Sequence, residues 1–265
     1  MRRSHHEAII FDFNGVLLWD TAIHEQVWKE FAASLRGAPL SDEEIAVHMH
    51  GRTNQHLLEY LLGRALPDTE IQRLSEEKET IYRTRALALG ADYQLSPGAV
   101  ELLDFLVEHN LPPGRPHGIP PGSPHGIPFG RPHGIPYTIA TASGKGNLDF
   151  FIQHLDLGRW FDLDRIVYDD GSLPGKPAPQ IYLQAARNLN VPPAHCIVVE
   201  DSLSGLQAAH AAGIGCIIAL GPPQRHAALR QVAGVTTVIS SLAEFPRQML
   251  ISSRPCFQTK EAGDR

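Results

Sequence analysis

The sequence predicts an α/β fold: a Rossmann-like parallel sheet core with an inserted, small α-helical domain. Three observations carry that prediction. Short apolar runs recur along the chain without polar alternation, the pattern of strands buried on both faces of a parallel sheet. Helical periodicity fills the intervals between them, as in layered α/β folds. A stretch of about 75 residues after the first run has helical periodicity and no strand, and is too long for a simple crossover. The 265 residues, 43% hydrophobic and 20% charged, suffice for a sizeable core. A net charge of −6 argues against partners held by a basic face, so neither nucleic acid nor an anionic membrane is expected.

Taken in order, the first strand is Ala8–Phe11. Ile23, Val27 and Phe31, then Leu57, Leu58, Leu61 and Leu62, then Ile71, Leu74 and Ile81 give the inserted block its helical faces. The division expected is therefore 1–17 and 96–250 for the core, with 18–95 as the second domain. Ser96 and Pro97 read as the N-cap and first position of the next helix, whose apolar face is Val100, Leu103, Leu106 and Val107. Nine of the 21 prolines then fall within 112–136, in the tandem octapeptides GRPHGIPP, GSPHGIPF and GRPHGIPY. His117, His125 and His133 recur eight residues apart, but a Pro/Gly coil fixes no coordination geometry, so a polyproline-like loop is expected rather than a metal array. The strand Tyr137–Ala140 follows, and Leu148, Phe151, Ile152 and Leu155 form the next helical stripe. Further strands are Ile166–Tyr168, Cys196–Val199 and Gly215–Leu220. Helices begin at Pro179 and span Gly205–Ala212, the latter stopped by Gly213. Residues 251–265 are polar and read as a flexible tail. Cys196, Cys216 and Cys256 are too scattered for a disulfide framework, and buried reduced thiols are expected. No stretch is long and apolar enough for a membrane span, so a cytoplasmic monomer is the default expectation.

In parallel α/β sheets, ligands bind beyond the carboxyl ends of the strands. Reading there gives Asp12 in DFNGV, Thr141 in IATAS, Lys176 in GKPAPQIY and Glu200-Asp201 in EDSLSG. Carboxylates, a hydroxyl and one lysine on one edge suit Mg²⁺ and a phosphate. Each residue also has a plain structural reading: Asn14-Gly15 as a turn, Thr141 or Asp201 as a helix cap, Lys176 as a solvated charge, Asp169-Asp170 as loop acids. Their occurrence in order at successive strand ends favours a site.

Through DFNGV, IATAS, GKPAPQIYLQAA and VVEDSLSGLQAAHAAG, in that order, the chain resembles the haloacid dehalogenase-like hydrolase superfamily. Within it, the resemblance is to the branch of β-phosphoglucomutase and sugar-phosphate phosphatases that carry a helical cap, over about residues 7–245. GVTTVISSLAEF looks like the closing strand and linker of those proteins. The resemblance implies that Asp12 attacks phosphorus and forms an aspartyl-phosphate. It implies Mg²⁺ held by Asp12, the Asn14 backbone carbonyl and Asp201, with Glu200 nearby. Thr141 would hydrogen-bond the phosphoryl group and Lys176 would neutralise its charge. His24, Gly51, Arg52 and Thr53 from the cap, and Ala142 and Ser143 after Thr141, are the implied substrate contacts.

Three departures stand out, one of them the expanded loop that enters directly before the strand carrying Thr141. Asn14 occupies the place of an Asp that protonates the leaving oxygen and later activates water. An amide does neither, and losing a general acid/base costs typically ~10²–10⁴-fold. A slowed phosphatase acting on a small phosphorylated metabolite is therefore expected, with Asn14→Asp raising its activity. Trp19 stands where relatives often have an acid at the hinge into the cap. The alternatives are a β-phosphoglucomutase-like phosphomutase, whose repeated proton transfers make Asn14 more damaging, and a pseudoenzyme that binds a phosphometabolite without turning it over. A dehalogenase fits Glu200-Asp201 and the lysine motif less well.

Overall fold

The structure is a computed structural model and describes residues 6–110 and 134–251. Residues 111–133 of the octapeptide region, with His117, His125 and His133, the tail beyond residue 251 and Cys256 lie outside the described residues. Six strands form one parallel sheet in the order β3-β2-β1-β4-β5-β6. β1 is Ala8–Phe11, β2 Tyr137–Gly144, β3 Val167–Asp169, β4 Cys196–Glu200, β5 Cys216–Leu220 and β6 Val235–Ile239. β1 pairs with β2 through Ile9↔Tyr137 and with β4 through Ile9↔Ile197. β2 runs four residues past the apolar run that announces it, so Thr141 lies inside the strand rather than beyond it. The reason is composition: Thr141, Ala142, Ser143 and Gly144 keep extended backbone while carrying no large apolar side chain.

Side chains alternate between two apolar layers, as a parallel sheet covered on both faces requires. Ile9, Phe11, Ile139, Ile197, Val199 and Ile218 share a cluster with α5 (Ala99–Asn110) and α6 (Lys145–Leu155). Ala8, Ile10, Ala140, Val198, Ile217 and Ala219 join α7 (Gln180–Leu189) and α8 (Leu203–Ala211) on the other face. Cys196 and Cys216 are buried free thiols, and burial pushes Cys196 up to about 12. α5 starts later than Ser96-Pro97 suggests. Ser96 spends its hydroxyl on Val16 O at 2.6 Å and its N–H on Leu17 O at 2.8 Å, so it ties the chain to the β1 loop, and the helix begins after the Pro97-Gly98 turn.

Between β1 and α5 the chain is helical: α1 (Thr21–Arg36), α2 (Asp42–Glu44) running into a π-helical turn at Ile45–Met49, α3 (Asn54–Leu62) and α4 (Asp68–Ala88). Gly37 and Gly63, both at positive φ, end α1 and α3 in left-handed caps. Trp28, Phe31, Leu40, Ile45, Leu57, Leu58, Leu61 and Leu74 form a third apolar cluster besides the two that flank the sheet. Each such side chain, fully buried, contributes roughly 1.5–3 kcal/mol. Among the described residues no helix is long and apolar enough to cross a membrane.

Candidate active site

The strand order reverses at β1, which has β2 on one side and β4 on the other, so the carboxyl ends of the central strands part there and leave a crevice. Asp12 is the first residue past β1, and its N–H continues the ladder to Val199 O at 3.0 Å. That register sets Asp12 beside the end of β4, where Glu200 and Asp201 follow. Carboxylate oxygens of Asp12, Glu200 and Asp201 all lie within 4.8 Å of one another.

Lys176, carried on the loop before α7, enters this acidic group from below. Its Nζ donates to Asp12 Oδ1 at 2.8 Å and to Glu200 Oε1 at 2.7 Å, and all three side chains are nearly inaccessible. Burial works against the ammonium, but Asp12 and Glu200 outweigh it and hold its pKa well above that of an ordinary lysine. Burial pushes the Asp12 carboxyl up to about 7, Lys176 pulling it back and Glu200 adding to the rise. Asp201 is likewise raised, by burial and then by Glu200 and Asp12. Glu200 is saturated: Oε1 also accepts from Tyr182 at 3.2 Å, and Oε2 takes the Ser202 N–H at 2.7 Å. Ser202 in turn caps α8, its Oγ accepting from Gly205 N at 3.1 Å.

Opposite this group, Thr141, Ala142 and Ser143 bring the end of β2 to the same cleft. Asn14 connects the two sides. Its Oδ1 accepts from Ser143 Oγ at 2.8 Å and Thr141 Oγ1 at 3.4 Å, while its Nδ2 donates to Asp20 Oδ2 at 2.7 Å. Asp169 and Asp170 instead close local turns, accepting from the N–H groups of Gly171 and Ser172.

The helical segments form the upper wall with His24, Trp28, Met49, His50, Gly51, Arg52, Asn54, Lys78 and Glu79. Arg52 Nη1 donates to Lys176 O at 2.9 Å, and its Nε is buried without a partner. Thr53 lies outside this cleft; its Oγ1 accepts from His56 N and caps α3. His24 stacks on Tyr82 at 4.0 Å and places Nδ1 3.0 Å from Lys78 Nζ. Lys78 also donates to Glu79 at 2.9 Å. Burial acts to raise Glu79, but Lys78, His24 and the Asn54 amide prevail and hold it at about 2.

The sequence reading missed Asp20, Trp28, His50, Asn54, Lys78, Glu79 and Ser202. Asp20 carried one signal, its i,i+4 spacing to His24 on a predicted helix. Lys78 and Glu79 carry none: they are two charges in a polar helix until tertiary packing turns them inward. The acid missing at Trp19 is present one residue later, because Trp19 is 52% exposed while Asp20 is 1% exposed.

Gly51 shows how closely the wall meets the core. It sits at φ +70°, and a Cβ there would fall 2.3 Å from Ser202 Oγ and 2.4 Å from Ser204 Oγ. Ser204 Oγ donates to His50 O across the same contact at 2.8 Å. Gly51→Ala is expected to push the His50–Arg52 loop off the core and strain its backbone, at a cost of about 1–3 kcal/mol. Steady-state kinetics on the chain's substrate should show the loss mainly in KM.

A profile for haloacid dehalogenase-like hydrolases matches residues 130–213. The chain is 32% identical over 240 residues to a Drosophila melanogaster protein named "Probable pseudouridine-5'-phosphatase", covering 89% of this chain and 90% of that protein. It is 27% identical over 212 residues to a "Phosphorylated carbohydrates phosphatase" of Thermotoga maritima, covering 78% of this chain and 82% of that one. The crystal structure of a haloacid dehalogenase-like hydrolase of family IA, variant 3, from Entamoeba histolytica superposes with a TM-score of 0.71 at 36% identity, over 93% of this chain and 98% of that one. Sequence similarity spanning nearly the whole length, together with the shared parallel-sheet architecture, establishes that the chain belongs to the haloacid dehalogenase-like hydrolase family.

Proposed function

We propose that this chain is a Mg²⁺-dependent phosphatase of a small phosphorylated metabolite, in which Asp12 is the nucleophile. The observation that carries the reading is the buried Lys176 clamp, which fixes Asp12 beside Asp201 with the Thr141 and Ser143 hydroxyls across the cleft. An Asp12 carboxylate oxygen bonds to phosphorus as the bond to the leaving oxygen breaks, its electron pair departing with that oxygen. Water then bonds to phosphorus and releases Asp12. Thr141 donates a hydrogen bond to the phosphoryl group, and Lys176 balances the negative charge gathering at Asp12. The relatives' names, a phosphorylated-carbohydrate phosphatase and a pseudouridine-5'-phosphatase, support a sugar-type monoester as substrate.

The acidic cluster fits Mg²⁺ on its own chemistry. Three hard oxygen donors converge, with the Lys176 ammonium bonded to two of them and Arg225 acting on Asp201 through space. Gly15, at φ +85°, leaves room that a Cβ would close by falling 2.2 Å from Asp201 Oδ2. Asp12 and Asp201 would hold the ion with the Asn14 carbonyl, while Glu200, already occupied by Lys176, Tyr182 and Ser202, sets their positions. When bound, Mg²⁺ supplies positive charge to the transferring phosphoryl group.

A pH dependence follows from the raised Asp12 carboxyl. The native metal-free protein keeps a proton that the unfolded chain gives up near pH 4, so stability falls as pH rises from about 4 to about 7. Mg²⁺ competes with that proton. Millimolar Mg²⁺ is therefore expected to raise the melting temperature more at pH 8 than at pH 5, and thermal melts at the two values check it. The function itself is tested by phosphate release from a panel of sugar and nucleotide monophosphates with Mg²⁺, with and without chelator, and by hexose-phosphate interconversion. Release that stops with chelator supports the phosphatase; interconversion without release supports a mutase. Binding of Mg²⁺ and phosphate without either reaction, as Asn14 would allow, makes the chain a binding protein.

A further inference from the structure

The mechanism leaves Asp20 unused, although it is the best-connected acid near the cleft that no catalytic role absorbs. It stands immediately before α1 with its side chain 1% exposed. Its Oδ2 accepts from Asn14 Nδ2 at 2.7 Å and from the Tyr82 hydroxyl of α4, and lies 3.2 Å from His24 Nε2. Its Oδ1 is buried with no hydrogen-bond partner. One carboxylate oxygen thus takes two hydrogen bonds and a close imidazole nitrogen while the other, equally buried, takes none.

Asn14 both donates and accepts in this group. It gives its N–H to Asp20 and takes the Ser143 hydroxyl at 2.8 Å on Oδ1. An amide does both and a carboxylate does not. A carboxylate at residue 14 would lie against the Asp20 carboxylate at this 2.7 Å spacing with no proton between them. The departure at residue 14 and the acid at residue 20 therefore belong together.

We propose that Asp20 is a positioning residue and that Asn14 and Asp20 act as one matched pair. The pair links the start of α1 and, through Tyr82, α4 to the hydroxyls at the end of β2. Asp20 fixes the amide, the amide holds Ser143, and the looser 3.4 Å contact from Thr141 leaves that hydroxyl free to turn to a phosphoryl oxygen. Restoring an acid at residue 14 alone therefore does not restore turnover. Exchanging the pair does, because a carboxylate at 14 and an amide at 20 make the same hydrogen bond with its polarity reversed.

This inference rests on the phosphatase reading for its kinetic readout but not for its thermodynamic one. The test compares wild type, Asn14→Asp, Asp20→Asn and the double exchange. Each is measured for melting temperature in chelator, affinity for inorganic phosphate with Mg²⁺, and kcat and KM for p-nitrophenyl phosphate. Asn14→Asp is expected to lower the melting temperature by about 4 °C or more without raising kcat. The double exchange is expected to recover most of that loss and to exceed the product of the single effects on kcat by roughly 10-fold, the scale of coupling between residues in contact. A role confined to stability would restore the melt but leave kcat additive. Additive melts across the four proteins, or an Asn14→Asp protein that is both as stable as wild type and faster, overturn the pairing. Failure of all four to turn over the ester sinks the phosphatase reading instead, and the melts and phosphate affinities still decide the pair.

Discussion

Asp12→Asn is expected to abolish turnover and, in the absence of metal, to stabilise the fold. The two effects have one origin. Removing the nucleophile should cost at least ~10⁴-fold in kcat, the scale seen when a covalent catalyst loses its attacking atom. The stability gain comes from burial, which together with the neighbouring Glu200 outweighs Lys176 and pushes the Asp12 carboxyl up to about 7. Keeping it ionised at pH 8 thus costs roughly 2–4 kcal/mol relative to a group near 4. An amide of the same shape carries no charge and still accepts from Lys176. The melting temperature in chelator at pH 8 should rise by about 4–12 °C. At pH 5 wild-type Asp12 is largely protonated and the gain should shrink. Mg²⁺ should reverse the order, since it stabilises wild type and finds one carboxylate fewer in the variant. Equal or lower stability of Asp12→Asn at pH 8 without metal would mean that the site is not held under electrostatic stress. Such a trade of stability for function is the ordinary condition of an active site.

How much of this was readable in the chain follows from where each residue gets its role. Asp12, Lys176, Glu200 and Asp201 sit at or just past short apolar runs, and a parallel sheet brings such positions to one edge whatever the loops do, so their spacing along the sequence translated into proximity. The strands themselves showed because both faces are covered, leaving Ala8–Phe11 and Cys196–Val199 without a polar residue. Thr141 lines the cleft but lies inside its strand rather than past it, because small polar residues extend β2 where periodicity has nothing to count. The upper wall was mostly illegible. Lys78 is buried against Trp28 and Tyr82, its ammonium 4.9 Å from the Trp28 ring, yet in sequence it is one lysine among the charges of a polar helix. Its role depends on how α1 and α4 cross, which no local pattern records. Asp20 was overlooked for a related reason: the tryptophan beside it drew notice as a departure, and only the fold shows that the exposed residue is Trp19 and the buried one Asp20.

Lys176→Met is expected to act in the opposite sense to Asp12→Asn on stability while also removing activity. Methionine fills much of the lysine's volume, so the cavity cost is small and the electrostatic consequence dominates. The two 2.7–2.8 Å contacts to Glu200 and Asp12 disappear. Asp12, Glu200 and Asp201 are then left close together without the ammonium, Arg225 acting only on Asp201. Breaking a buried ion pair by removing one partner costs about 3–5 kcal/mol, which for a chain of this size lowers the melting temperature by about 6–20 °C. The Asp12 and Asp201 carboxyls, already raised, lose the ammonium that lowers them and should rise further, so the native state takes up protons that the unfolded chain lacks, and the deficit should shrink as pH falls toward 5. Turnover should drop by about 10²–10³-fold, the loss typical of one preorganised charge-stabilising donor. The decisive measurement is the double variant with Asp12→Asn. If Lys176 exists chiefly to hold the Asp12 charge, the second substitution removes most of what the first exposed, and the combined melting shift is smaller than the loss from Lys176→Met alone. If the loss persists undiminished, Glu200 is the partner that matters, since it keeps its Tyr182 and Ser202 contacts but no positive charge.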